Sequence, residues 1–135
     1  MSNNVSMKHG ACTTEPVAFC PRFHHAIELI GRRWSGAILR VLLDGPTRFS
    51  DITAAVPGLS DRLLSERLKE LEAEGMVLRT VFPETPVRIE YALTDKGRAL
   101  SDVIHAVALW AERWVDAPAG YVAVAIPLAT AAAAR

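Results

Sequence analysis

Cysteine is scarce in this chain, neither sign of charge prevails, and no long apolar run occurs. Two cysteines in 135 residues are too few for a disulfide scaffold, so free thiols in a reducing cytoplasm are expected. Lys and Arg total 15, as do Asp and Glu, so the net charge advertises no polyanionic partner. No stretch approaches the roughly 18–20 apolar residues needed to cross a bilayer, and the N-terminal MSNNVSMKHG lacks the apolar core of a secretory signal. A nucleophile elbow, a phosphate-binding loop and carboxylates grouped for acid–base work are also missing, so neither an enzyme nor a cofactor is expected. What is present suits one folded domain: 50% of residues are hydrophobic and 22% charged, enough for a single core without metals or disulfides.

The distribution of charge says more than its sum. Between Arg22 and Arg48, five arginines face only Glu28 and Asp44. From Leu59 to Leu100 seven bases meet eight acids, and the acids gather in the KELEAEG segment. A nucleic-acid reading therefore predicts few phosphate contacts and a shallow salt dependence.

Residues 1–15 show little periodicity and are expected to form a mobile arm. Phe23, Ile27, Ile30, Trp34, Ile38, Val41 and Leu42 recur at spacings of three and four, which predicts one long amphipathic helix. Asp44-Gly45-Pro46 stops it. A short helix over Phe49–Val56 and a Pro57-Gly58 turn follow, and Ser60 stands where an N-cap belongs. In the third helix Leu64, Leu68 and Leu71 share the core side, while Arg62, Ser65, Glu66 and Lys69 share the opposite side. Gly75 ends that helix. Period-two alternation on both sides of the PETP loop then predicts a two-stranded ribbon from Val77 to Leu93. Thr94 caps a last helix with Leu100, Val103, Ile104, Val107, Trp110 and Trp114 along one side, and Gly97 falls early in it, where its entropy cost is tolerable.

A helix followed at once by a hairpin is the working half of a winged helix-turn-helix, so the expected fold class is mainly α with a small β-hairpin. The N-terminal part of such a third helix enters the major groove of double-stranded DNA. Arg62 can take guanine O6 and N7 bidentately, Ser65 can reach a base edge or a phosphate, and Glu66 can accept from cytosine N4. Ser60 and Lys69 complete the face, and Arg88 at the wing is suited to a phosphate or the minor groove. A merely solvated helix face, or a winged-helix module used for protein–protein contact, is the alternative.

The segments FCPRFHHAIELIGRRWSGAILRVLLDGPTRFSDI, GLSDRLLSERLKELEAEGMV and VRIEYALTDKGRAL resemble the HxlR-type transcriptional regulators, winged-helix proteins related to the MarR group. The resemblance runs from about Cys20 to Leu100 and rests on Cys-Pro, Gly-x-x-Trp, Leu-x-Gly-Pro-x-Arg-Phe, Leu-x-Glu-x-Glu-Gly and Tyr-x-Leu-Thr-x-x-Gly. It implies a homodimer joined through the N-terminal segment and the last helix, which gives Trp110 and Trp114 a partner; filling the domain's own core is their alternative role. It implies a repressor on a palindromic operator. It also implies an electrophile or oxidant sensor at Cys20, with Cys12 as resolving partner. A helix start and nearby Arg22, His24 and His25 favour thiolate there, whereas a structural thiol acts as a small hydrophobe.

Cys12, Cys20, His24 and His25 match no common zinc spacing, so no metal is expected, and His105 is read as an interface or surface residue. The domain is placed at 16–116, with an apolar tail over 117–135.

Overall fold

The computed structural model describes residues 18–121; the arm over 1–15 and most of the 117–135 tail lie outside them. Helix α1 spans Pro21–Gly31 and α2 spans Ser35–Leu42, followed by strand β1 (Thr47–Arg48) and α3 (Phe49–Ala55). Helix α4 covers Asp61–Ala73, β2 Val77–Phe82 and β3 Arg88–Leu93; a short α5 (Asp95–Arg98) and α6 (Ser101–Trp114) complete the order.

The long first helix expected from the apolar spacing is in fact two. Arg32 leaves α1 in an extended conformation at ψ 139°, and Trp34, left-handed at φ 76°, precedes α2, so the chain turns between the two helices. The apolar stripe continues through this corner, so spacing alone conceals it. Downstream of the corner Ile38, Leu39, Val41 and Leu42 are buried, whereas α1 buries no residue and only Leu29 and Ile30 reach the core edge.

Helix α4 starts as its sequence dictates. The Ser60 hydroxyl accepts from the Leu63 amide at 3.1 Å, satisfying one of the donors that a helix start leaves orphaned. Gly75 at φ 76° closes the other end. Leu64, Leu68 and Leu71 meet Ile52 of α3, Val56 at its C-cap, Leu59, and Ile38, Leu39 and Leu42 of α2 in one core. Burying each such side chain contributes about 1.5–3 kcal/mol.

The ribbon pairs β2 with β3 antiparallel from Val77↔Leu93 to Phe82↔Arg88. Residues 47 and 48 add a third strand on the other edge of β3, giving the order β1-β3-β2. The small hairpin expected from sequence is thus a three-stranded sheet, anchored to the body through β3. Val77, Tyr91 and Leu93 point into the core.

The last helical segment is also divided, at Ala99-Leu100. Thr94 caps α5, accepting from Gly97 N at 3.2 Å and donating to Gly75 O at 2.6 Å. This folds α5 against the end of α4, where Lys96 donates to the Glu74 carbonyl at 2.6 Å. A Cβ on Gly97 would run into the Met76 carbonyl oxygen. Glycine at this position answers a steric demand, which the expectation of a tolerated entropy cost did not include. Of α6, Leu100 before its start and Ile104 pack on the core; Val103, Val107, Trp110 and Trp114 are exposed.

Candidate nucleic-acid interface

Helices α3 and α4, joined by Pro57-Gly58, form the helix-turn-helix. The Thr53 hydroxyl lies 3.4 Å from Asp61 Oδ1 and links the two helices. Gly58, at φ 87°, lets the turn pass beneath the Trp34 ring, so the α1–α2 corner packs on the turn between the two helices.

The expected division of α4 into two faces is observed. Arg62, Glu66 and Lys69 are exposed and Ser65 half-buried, opposite the buried leucines. The Arg62 side chain is 89% exposed, with Nε donating to Glu66 Oε2 at 3.3 Å. Lys69 makes no ion pair among the described residues. Ser60 uses a hydroxyl lone pair as the helix cap, leaving its proton available to an acceptor outside.

Arg88 is drawn inward instead. It lies over the ring of Phe82, its cross-strand neighbour, at 3.8 Å, donates to Glu84 at 2.9 Å and pairs with Glu90. The hydrogen bond from Arg88 holds the Glu84 carboxyl below its ordinary value, against an opposing push from partial desolvation, with the Arg88 and Arg48 charges adding to it. Arg88 is raised in turn, first by its hydrogen bond to Glu84. With two carboxylates on it, Arg88 braces the wing, and a phosphate would have to compete for it. Arg79 is the exposed base on the wing with no carboxylate partner among the described residues, and sequence patterning gave it no role.

A second residue missed from sequence is Arg67. It is 8% exposed, the one charged side chain buried among the described residues. Its Nε donates to the Arg33 carbonyl at 2.9 Å, and its Nη1 reaches Glu70 at 3.3 Å and Glu66 at 3.8 Å. Its place one step from Leu64, Leu68 and Leu71 on the helical wheel was the available signal. Arg32 pairs with Glu70 at 3.0 Å and His25 with Glu74 at 3.2 Å, so acids expected to be solvated tie α4 to α1.

Cys20 caps α1, its sulfur accepting from Phe23 N at 3.4 Å. It is disulfide-bonded, which corrects the expectation of a free thiol; Cys12 lies outside the described residues. His24 turns to Glu28 at 3.3 Å and His25 to Glu74. Among the described residues no group of three His, Cys, Asp or Glu side chains is placed to hold a metal ion, and no helix is long and apolar enough to cross a membrane.

A helix-turn-helix with a β-ribbon directly after its second helix defines a winged-helix DNA-binding protein. The chain belongs to the HxlR-like helix-turn-helix family, whose model matches residues 29–119, and it is a transcriptional regulator of that type, not an enzyme. It is 57% identical over 97 residues to the HTH-type transcriptional regulator YvaP of Bacillus subtilis (strain 168), covering 72% of this chain and 90% of that one. The reduced form of the regulator YodB from B. subtilis superposes with a TM-score of 0.65 at 47% identity, over 73% of this chain and 96% of YodB. YodB structures also exist in diamide-treated and quinone-bound forms. The redox regulator HypR in its oxidised form gives a TM-score of 0.68 at 34% identity, over 73% of this chain and all of HypR.

Proposed function

We propose that this regulator binds a palindromic duplex operator as a homodimer in the cytoplasm, represses transcription there, and changes its operator affinity when Cys20, released from its disulfide by reduction, reacts with an electrophile or oxidant. The observation that carries the operator reading is the outward face of α4. It presents Arg62, Ser65 and Lys69 beside a braced wing, with Glu66 neutralised by Arg62 and Glu70 turned to Arg32. Two such faces related by a twofold axis read two half-sites about one helical turn apart.

The exposed apolar stripe on α6 supports the dimer, with Trp110 60% and Trp114 65% exposed. On α1, Phe23 and Ile27 are exposed as well. The position of Cys20 at the start of α1 supports the sensing branch, as do the diamide-treated and quinone-bound forms known for YodB. The arm over 1–15 and the tail over 117–135 are read as extensions of one domain at 16–116.

Gel shifts over duplex fragments from the genome, with Arg62→Ala, Lys69→Ala and Arg88→Ala proteins, test this reading. The wild type should bind in a salt-sensitive manner, and Arg62→Ala should weaken the preferred site about ten-fold, the scale of one lost bidentate base contact. Binding to no duplex, together with a protein partner retained after nuclease treatment, would replace the operator by a protein-contact role. After reduction of the protein with dithiothreitol and removal of the reductant, diamide or a quinone should alter wild-type affinity and leave Cys20→Ser unchanged; an equal response in both proteins would remove Cys20 as the sensor.

A further inference from the structure

We infer that Glu66 is a positioning residue which aims Arg62 at a guanine, the last link of a relay running from the α1–α2 corner to the groove face. The inference rests on the operator reading above and deepens it by naming the base that this part of α4 selects.

The Arg33 carbonyl, fixed in the corner before Trp34, accepts from Arg67 Nε at 2.9 Å. That holds a buried guanidinium in one orientation. Its Nη1 lies 3.8 Å from Glu66 Oε1, so one carboxylate oxygen faces a fixed charge. The other, Oε2, takes Nε of Arg62 at 3.3 Å. A carboxylate on Nε leaves the two terminal amino groups of Arg62 unpaired and projecting from a side chain that is 89% exposed. Those groups carry the paired donors that match guanine O6 and N7.

A free arginine on a helix surface samples many rotamers and loses that freedom when it binds a base. Anchoring its Nε removes part of this loss in advance. The anchor also explains an acid on a face that meets polyanionic DNA. As a direct reader Glu66 would need to shed Arg62 and approach a base alone, whereas as a buttress it stays neutralised between two guanidinium groups. Glu66 therefore acts through Arg62, and its own contact with cytosine is not needed.

The test is selection of the full-length protein on a randomised duplex pool, followed by titration of the selected duplex with each base at each half-site position. Wild type should enrich guanine at one position per half-site, and Arg62→Ala should lose preference at that position and keep the others. Glu66→Ala should lower the guanine preference at that same position about two- to five-fold, the scale of an exposed pair on one helix, with affinity for mixed-sequence duplex undiminished. Glu66→Gln, which keeps an acceptor for Nε, should retain most of it. A Glu66→Ala protein with full guanine preference would overturn the inference, as would one whose preference changes at a position that Arg62→Ala leaves intact. Wild type enriching no motif would instead overturn the operator reading, and the inference with it.

Discussion

At Gly97 the backbone of α5 lies so close to the end of α4 that a methyl group would strike the Met76 carbonyl oxygen and come within 3.2 Å of Leu93 Cβ. Neither neighbour can yield cheaply, since one is backbone and the other anchors β3 in the core. The Gly97→Ala protein should therefore be less stable by about 1–3 kcal/mol, the usual cost of overpacking. Urea unfolding checks this, with a lowered midpoint and an unchanged slope as the expected result. Arg67 makes the complementary point at the same scale. Its guanidinium is tolerable in the interior because a carbonyl and a carboxylate receive it, as burial of charge requires. Sorting α4 into apolar and charged faces puts every arginine outside, which is why this one escaped notice.

Among the elements, the wing is held by its own charges. Arg88 spans Glu84 in the loop and Glu90 in β3 while covering Phe82, so the ribbon is clamped across its outer face. The Glu84 carboxyl should titrate below its ordinary value of 4.5, and Arg88→Ala should return it toward that value; side-chain carbonyl NMR across acid pH reads both. Because folding depresses this group, its contribution to the wing is in place above pH 4.5 and fades as the pH falls through the lower folded value. Helix α4 and the β2–β3 ribbon were legible because their signals are local: Ser60 as cap, Gly75 as stop, and strict alternation around PETP. Strand β1 was not, since two residues carry no period and their pairing with Tyr91 and Glu90 spans more than forty positions. The breaks at Trp34 and Ala99 were hidden by apolar spacing that runs on through them. At the site, exposure of Arg62 and Lys69 followed from helical angle alone, whereas Ser65 is half-buried. The engagement of Arg88 depends on how the loop folds Glu84 back, and alternation does not report that.

For the whole molecule, the uncovered apolar side of α6 decides the expected assembly. Val103, Val107, Trp110 and Trp114 stand exposed in one stripe, and contiguous surfaces of this kind mark interaction sites. Replacing Trp110 and Trp114 together by alanine should shift the protein toward monomer in sedimentation velocity, with helical content retained because neither side chain fills the core. A double variant that sediments like the wild type would place the interface elsewhere. Helix α1 stands apart from the rest of the molecule in how it is attached. It buries no side chain and rests Leu29 and Ile30 on the core edge. It is tied toward the end of α4 by a His25–Glu74 hydrogen bond and, just past its last residue, by Arg32–Glu70, an exposed ion pair of the kind that dissolved ions screen. Salt therefore has two points of entry into this protein. Ions that compete for DNA phosphates also loosen the seating of the helix that begins at Cys20, so ionic strength becomes an input to the regulator itself, alongside any reactive molecule.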